Sequence, residues 1–78
     1  MYLEIVTPEE NLFSGEIDLV QLPGVEGSFE LMKNHAPIIS ALKKGKIKVK
    51  ADDKISTFDI DGGIIECHDD NVIVLVGS

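Results

Sequence analysis

The chain has 78 residues, a formal net charge of −7 and a single cysteine. A chain of this length has room for one hydrophobic core, so residues 1–78 are predicted to form a single domain. All seven basic residues are lysines between Lys33 and Lys54, and the sequence contains no arginine. Nucleic-acid binding needs a dominant basic surface and favours arginine as the phosphate ligand, so the composition argues against it.

Cys67 has no second cysteine in this sequence with which to form a disulfide. A lone cysteine in so small a domain favours a reducing compartment. We expect Cys67 to be a small buried hydrophobe and not a reactive thiol, because no neighbouring lysine or arginine favours a thiolate. Residues 1–10 lack the charged and apolar regions of a signal peptide. No apolar run approaches the roughly 20 residues that span a bilayer, so the sequence predicts a soluble chain.

Apolar and polar residues alternate with a period of two along much of the chain, which predicts β-strands. In the clearest segment, residues 46–50, Ile47 and Val49 are expected to point inward while the lysines point outward. Residues 72–76 are apolar at every position, which predicts a strand covered on both faces. The same alternation occurs at residues 3–5, residues 16–19 (with a change of phase at residues 20–22) and residues 58–61.

Turn-forming residues separate these segments at intervals of about ten residues, which is typical of a two-layer sandwich or a closed sheet. No segment has a sustained helical period, so an all-β fold is predicted. The turn signals are residues 8–11, Pro23-Gly24, residues 34–37, Gly45, Asp52-Asp53, Gly62-Gly63 and residues 69–71.

The glycine-flanked segment GVEGS, residues 24–28, is predicted to be a hairpin tip that presents Glu26 and Ser28 to a partner. It lacks the Lys-Ser or Lys-Thr pair that opens the helix of a phosphate-binding loop.

The two histidines do not form a recognisable catalytic or metal site. His35 precedes Ala36-Pro37, where proline favours an extended predecessor, and a lone histidine usually has a structural role. A catalytic pair of His35 with a nucleophile distant in sequence remains an open alternative. A turn explains the acids after His68 more simply than a metal site, which needs several oxygen ligands. We therefore predict no catalytic residue, no cofactor and no metal.

Residues 12–45, LFSGEIDLVQLPGVEGSFELMKNHAPIISALKKG, resemble the epsilon subunit of the F-type rotary ATP synthase. The N-terminal domain of that family carries SGE-like, LPG-x-EG and HAP-like elements in this order, then a strand rich in Ile and Val. Residues 58–75 are similar to its glycine-pair hairpin and closing strand. The resemblance covers essentially the whole chain and implies a two-sheet antiparallel β-sandwich. Longer members continue into two helices, so a short form, natural or trimmed, is expected here.

The resemblance also implies a function and a set of contacts. The subunit would dock the gamma subunit onto the c-ring and couple ion flow to ATP synthesis without catalysis of its own. It would associate with the cytoplasmic face of a bacterial membrane only through the complex. The implied c-ring-facing loop is Glu26, Gly27 and Ser28, where the family often has a second acid in place of Ser28. The implied gamma-facing edge is Thr7, His35 and Ser40.

Two alternative interpretations of the lysines remain. The lysines of residues 43–50 form either a docking stripe for an acidic partner or the solvated face of one strand. Biotinyl and lipoyl carrier domains are also small, all-β and often acidic, and in such a module Lys33 would be the modified residue. Met32 precedes Lys33 as in biotinyl carriers, but Asn34 follows it where those carriers have a second methionine.

Overall fold

The computed structural model describes residues 1–77, which are organised as β-strands and turns. Within this range the structure contains no helix with the length and hydropathy needed to cross a membrane. The strands are β1 (Tyr2–Val6), β2 (Asn11–Glu16), β3 (Leu19–Gly24), β4 (Gly27–Met32), β5 (Ile38–Leu42), β6 (Gly45–Ala51), β7 (Lys54–Ile60), β8 (Gly63–His68) and β9 (Asn71–Val76).

Hydrogen bonding joins the strands in the order β2-β1-β9-β8-β5-β3-β6-β7, and β4 pairs with β3. β5 and β3 meet at one residue pair only, Leu42 with Gly24. This junction divides the sheet into a five-stranded layer, β2-β1-β9-β8-β5, and a four-stranded layer, β4-β3-β6-β7. The rings of Phe13 in β2 and Phe58 in β7, at opposite ends of the strand order, lie 5.8 Å apart edge to face. The all-β, two-sheet fold is confirmed, and the pairing is antiparallel except between β1 and β9.

The core lies between the two layers and follows the predicted alternation. Ile47 is fully buried and Val49 is 1% exposed, while the lysines on either side of them are exposed. Cys67 is 2% exposed, in agreement with its predicted role as a buried hydrophobe. Burial, and secondarily the negative charge of Asp70, raise the pKa of the Cys67 thiol.

The prediction that residues 72–76 are covered on both faces is wrong. Val72, Val74 and Val76 face the core, but Ile73 is only half-buried and Leu75 is 51% exposed. No layer of the described chain covers the outer face of β9, so its apolar side chains there reach the surface.

Two glycine-containing turn predictions also need correction. Pro23-Gly24 is not a turn but the buried end of β3, and the turn follows at residues 25–26. Pro23 has no backbone N–H to donate to a neighbouring strand. It is tolerated because β3 pairs with β6 only as far as Gln21 and with β5 only at Gly24, so Pro23 lies between the two paired segments. Gly62-Gly63 does not form a hairpin, because β7 pairs with β6 whereas β8 pairs with β5 and β9.

The two predicted Asp-Asp turns are confirmed as two-residue hairpin loops. Asp52-Asp53 joins β6 to β7, and Asp69-Asp70 joins β8 to β9. All four residues have positive φ, between 51° and 64°. A tight hairpin of the type that matches strand twist requires positive φ at both positions, and aspartate tolerates it better than most residues.

Candidate docking surfaces

The predicted hairpin tip is a two-residue turn, Val25-Glu26, between the paired residues Gly24 and Gly27. Gly27 has a φ of +132°, which favours glycine. A Cβ at Gly24 would lie 2.7 Å from the Gly27 carbonyl oxygen and 2.8 Å from the Phe29 ring, so the close approach requires glycine there too. Glu26, Gly27 and Ser28 are all exposed, as predicted for a partner-facing tip.

The tip is fixed to β5 by backbone hydrogen bonds. The Val25 N–H donates to the Ala41 carbonyl at 3.1 Å, and the Lys43 N–H donates to the Pro23 carbonyl at 2.8 Å. The tip and residues 38–40 line one open depression. Ser40, predicted from the resemblance to face gamma, therefore adjoins the loop predicted to face the c-ring.

Thr7 organises the turn between β1 and β2. Its hydroxyl oxygen accepts hydrogen bonds from the N–H groups of Glu10 at 3.0 Å and Glu9 at 3.2 Å. Strands β9 and β8 lie between β1 and β5. Three strand spacings of about 4.8 Å thus separate Thr7 laterally from the strand that carries Ser40.

His35 lies in the connection between β4 and β5 and is exposed. Its Nδ1 lies 2.7 Å from the carbonyl oxygen of the adjacent Ala36. The preceding Asn34 has a φ of 68°, and its N–H donates to Asp70 Oδ1 at 3.2 Å. The register from β5 to β1 places His35 beyond one end of the five-stranded layer and Thr7 at the opposite end. The three residues predicted to form one edge are spread across this layer and do not contact one another.

The outer face of the five-stranded layer carries apolar residues on four adjacent strands, which we call the outer apolar patch. Its central row is formed by residues paired strand to strand, so their side chains share one face. Ile64 is 52% exposed and Ile39 is 72% exposed. The patch consists of Val6, Ile39, Ala41, Ile64, Ile73 and Leu75.

Sequence reasoning missed this patch, although a signal for it exists. The pairs Ile38-Ile39 and Ile64-Ile65 each place one isoleucine on either face of a strand. Glu4 and Glu66 pair with Ile73 from the two neighbouring strands, so two carboxylates lie within the same face.

The lysines of β6 lie on the solvated outer face of the four-stranded layer. This agrees with the interpretation of these lysines as the solvated face of one strand. Lys46 Nζ contacts Asp59 Oδ1 at 2.8 Å, and both side chains are largely exposed. Exposed pairs of this kind stabilise a fold by about 1 kcal/mol or less. A role of these lysines as a docking stripe remains a prediction.

Lys33 lies in the turn after β4. β4 pairs with β3 and β5 pairs with β8, so Lys33 is not at the tip of a hairpin, where carrier domains present their modified lysine. Among residues 1–77 no group of three or more His, Cys, Asp or Glu side chains is arranged to hold a metal ion.

Comparison with known proteins identifies the class of this domain. The family model described as ATP synthase, Delta/Epsilon chain, beta-sandwich domain matches residues 1–78, so the chain belongs to this family. The ATP synthase epsilon chain of Caulobacter vibrioides is 41% identical over 75 residues, covering 96% of this chain and 87% of that protein. The epsilon chain of Chlorobium limicola is 45% identical over 74 residues, covering 94% of this chain and 84% of that protein.

Solved structures share the fold at low sequence identity. A chain in the Euglena gracilis mitochondrial ATP synthase (OSCP/F1/c-ring) superposes with a TM-score of 0.88 at 19% identity, covering 95% of this chain and 48% of that one. A chain in the Tetrahymena thermophila mitochondrial ATP synthase (central stalk/c-ring) gives 0.84 at 18% identity, covering 99% and 63%. At these identities the likeness establishes the fold alone.

Proposed function

We propose that this chain is an epsilon-type rotor subunit of an ATP synthase, which joins the gamma subunit to the c-ring and has no catalysis of its own. It associates with the membrane only through the complex, on the cytoplasmic side of a bacterial plasma membrane. Family membership and the two epsilon-chain relatives support this proposal.

The outer apolar patch is the observation that carries the proposal. A small monomeric domain rarely leaves apolar side chains of four adjacent strands together in water, so such a face is typical of a protein interface. Thr7 directly follows Val6 of the patch. Ser40 pairs with the buried Ile65, so its side chain lies on the opposite face of β5 from Ile39 and Ala41. We therefore assign the patch to the gamma subunit, with Thr7 and His35 beyond its two ends, and we assign Ser40 to the same contact only through its place in β5.

The hairpin tip is the second proposed contact, with the c-ring. It is short, and its exposed residues are polar apart from Val25. Backbone hydrogen bonds hold it against β5, whose outer face belongs to the patch. A load applied at the tip thus passes through paired backbone to the patch, as a coupling element between two rotor parts requires.

Separate substitutions test the two contacts. Ile64→Lys places a charge at the centre of the patch and should weaken binding to purified gamma by about ten-fold or more. Ile55→Lys is the matched control, because Ile55 is 59% exposed on the other layer. His35→Asp should also weaken gamma binding, since an unpaired carboxylate is costly to bury in an interface.

The tip is tested with the double variant Glu26→Lys and Ser28→Lys. It should weaken attachment of the catalytic head to the membrane ring while leaving gamma binding unchanged. An unchanged thermal transition must confirm folding of each variant. If folded Ile64→Lys and Ile55→Lys bind gamma equally well, the patch is not the gamma contact; if the tip variant still attaches normally, the tip is not the c-ring contact.

A further inference from the structure

Asp70, in the β8–β9 turn, contacts two segments that are distant in sequence. Its Oδ1 accepts the hydrogen bond from the Asn34 N–H at 3.2 Å, across 36 positions of sequence. Its Oδ2 lies 3.4 Å from the amino group of Met1, and its backbone carbonyl accepts a hydrogen bond from the Tyr2 N–H at 3.0 Å. Asp70 thus connects the β4–β5 loop, the β8–β9 turn and the start of β1.

The electrostatics of Asp70 agree with this geometry. The hydrogen bond from the Asn34 backbone is the main cause that lowers the pKa of Asp70, and the positive charges of the amino terminus and Lys33 act in the same direction. Asp70 is therefore a carboxylate at neutral pH, which makes it a stronger hydrogen-bond acceptor than a neutral group.

The loop that Asp70 contacts has little backbone support from strand pairing. Residues 34–37 lie outside the strands, and the two strands they connect pair with different neighbours. Pro37 has no N–H to donate, and within residues 1–77 the hydrogen bond of the His35 ring is to the carbonyl of the adjacent Ala36. The Asn34 N–H bond therefore contributes to the placement of this loop over the end of the five-stranded layer.

We propose that Asp70 is a positioning residue, which holds the loop of residues 34–37 against the β8–β9 turn and so places His35 for contact with a partner. The partner in question is the gamma subunit, so this part of the inference rests on the proposed function. The loop-holding part stands on the geometry of this chain alone.

Asp69 provides a matched control in the same turn. Both aspartates have positive φ, 52° for Asp69 and 63° for Asp70, so replacement by glycine relieves strain equally and removes one negative charge in each case. The Asp69 carboxylate lies 3.1 Å from His68 Nδ1, and both of these side chains are largely exposed. Asp70→Asn keeps a carbonyl oxygen that can accept the Asn34 N–H, so it serves as the conservative variant.

The first measurement is amide hydrogen exchange at Asn34 in the full chain. Asp70→Gly should raise the exchange rate several-fold, up to about ten-fold, because the protecting hydrogen bond is lost. Asp69→Gly should leave the rate unchanged, and Asp70→Asn should give a rate between wild type and Asp70→Gly. Equal rates in wild type and Asp70→Gly would overturn the inference.

The second measurement is the affinity for purified gamma, at an unchanged thermal transition. Asp70→Gly should weaken binding by about three- to ten-fold, since a freed loop must be ordered on binding, and Asp69→Gly should not. Faster exchange with unchanged affinity would show that Asp70 holds the loop but does not position it for gamma, which refutes the functional part. If the wild-type chain does not bind gamma, the proposed function fails, while Asn34 exchange still decides the loop-holding part.

Discussion

Adjacent residues of β6 differ in environment because a strand points successive side chains to opposite faces. Val49 is 1% exposed within the core, whereas Lys48 beside it projects from the outer face of the four-stranded layer. The contribution of each residue to stability therefore depends on the face of the strand on which its side chain lies. The alternation of the sequence predicted the face of both residues.

Val49→Ala should lower the free energy of unfolding by about 1–3 kcal/mol, because the removed methyl groups leave a cavity in a packed core. Lys48→Ala should change it by less than about 0.5 kcal/mol. Denaturant titration of both variants measures these effects. Equal shifts of the two unfolding midpoints would contradict the assigned phase of β6.

Among the elements, β8 shows how tertiary contact decides the need for a glycine. Gly63 begins β8 beside the end of β9, and a Cβ there would overlap the Leu75 carbonyl oxygen and lie 3.1 Å from the Val76 Cα. Both obstacles are backbone atoms of a paired strand, which cannot move aside as a side chain can. The sequence indicated a glycine-dependent turn here, but the cause is this close approach together with the φ of +142° at Gly62.

Gly63→Ala should therefore destabilise the fold by about 2 kcal/mol or more through the backbone shift that it forces. Gly15→Ala is the control, since a Cβ there would make only an ordinary contact of 3.7 Å with the Phe13 ring. Replacing Gly15 should be neutral or slightly stabilising, because alanine reduces the freedom of the unfolded chain. Thermal melting of the two variants provides the comparison, and a similar loss in both would contradict the proposed role of the β9 backbone.

At the scale of the whole molecule, the connectivity distinguishes a docking domain from a carrier domain. Lys33 lies between two strands that belong to different layers, and it borders the loop bonded to Asp70. Lys33 is therefore not at the tip of a hairpin, which is where carrier domains present their modified lysine.

Co-expression with a biotin or lipoate ligase should therefore leave the mass of the chain unchanged. Intact-mass spectrometry of the purified protein checks this expectation, with a known carrier domain as the positive control. A mass increase that Lys33→Ala abolishes would instead favour the carrier interpretation.

The sequence by itself determined the all-β class, the inward residues of β6, the buried state of Cys67 and the exposed hairpin tip. It did not separate β2 from β3, because residues 16–22 read as one run with a change of phase, whereas Ile17 and Asp18 lie between the two strands. The features that it did determine depend on local periodicity and turn chemistry, which act between near neighbours and can be read from a single chain. The order of the LPG-x-EG and HAP-like elements also indicated the family.

Only the tertiary structure decided which strands became neighbours and which faces they covered. The parallel pairing of β1 with β9 joins the two ends of the described chain, and the separation of β7 from β8 removes a predicted hairpin. The outer apolar patch and the contact between Asp70 and Asn34 arise from the same long-range pairing. Local alternation shows which side chains share a face of a strand. The layer that covers that face comes from distant parts of the chain.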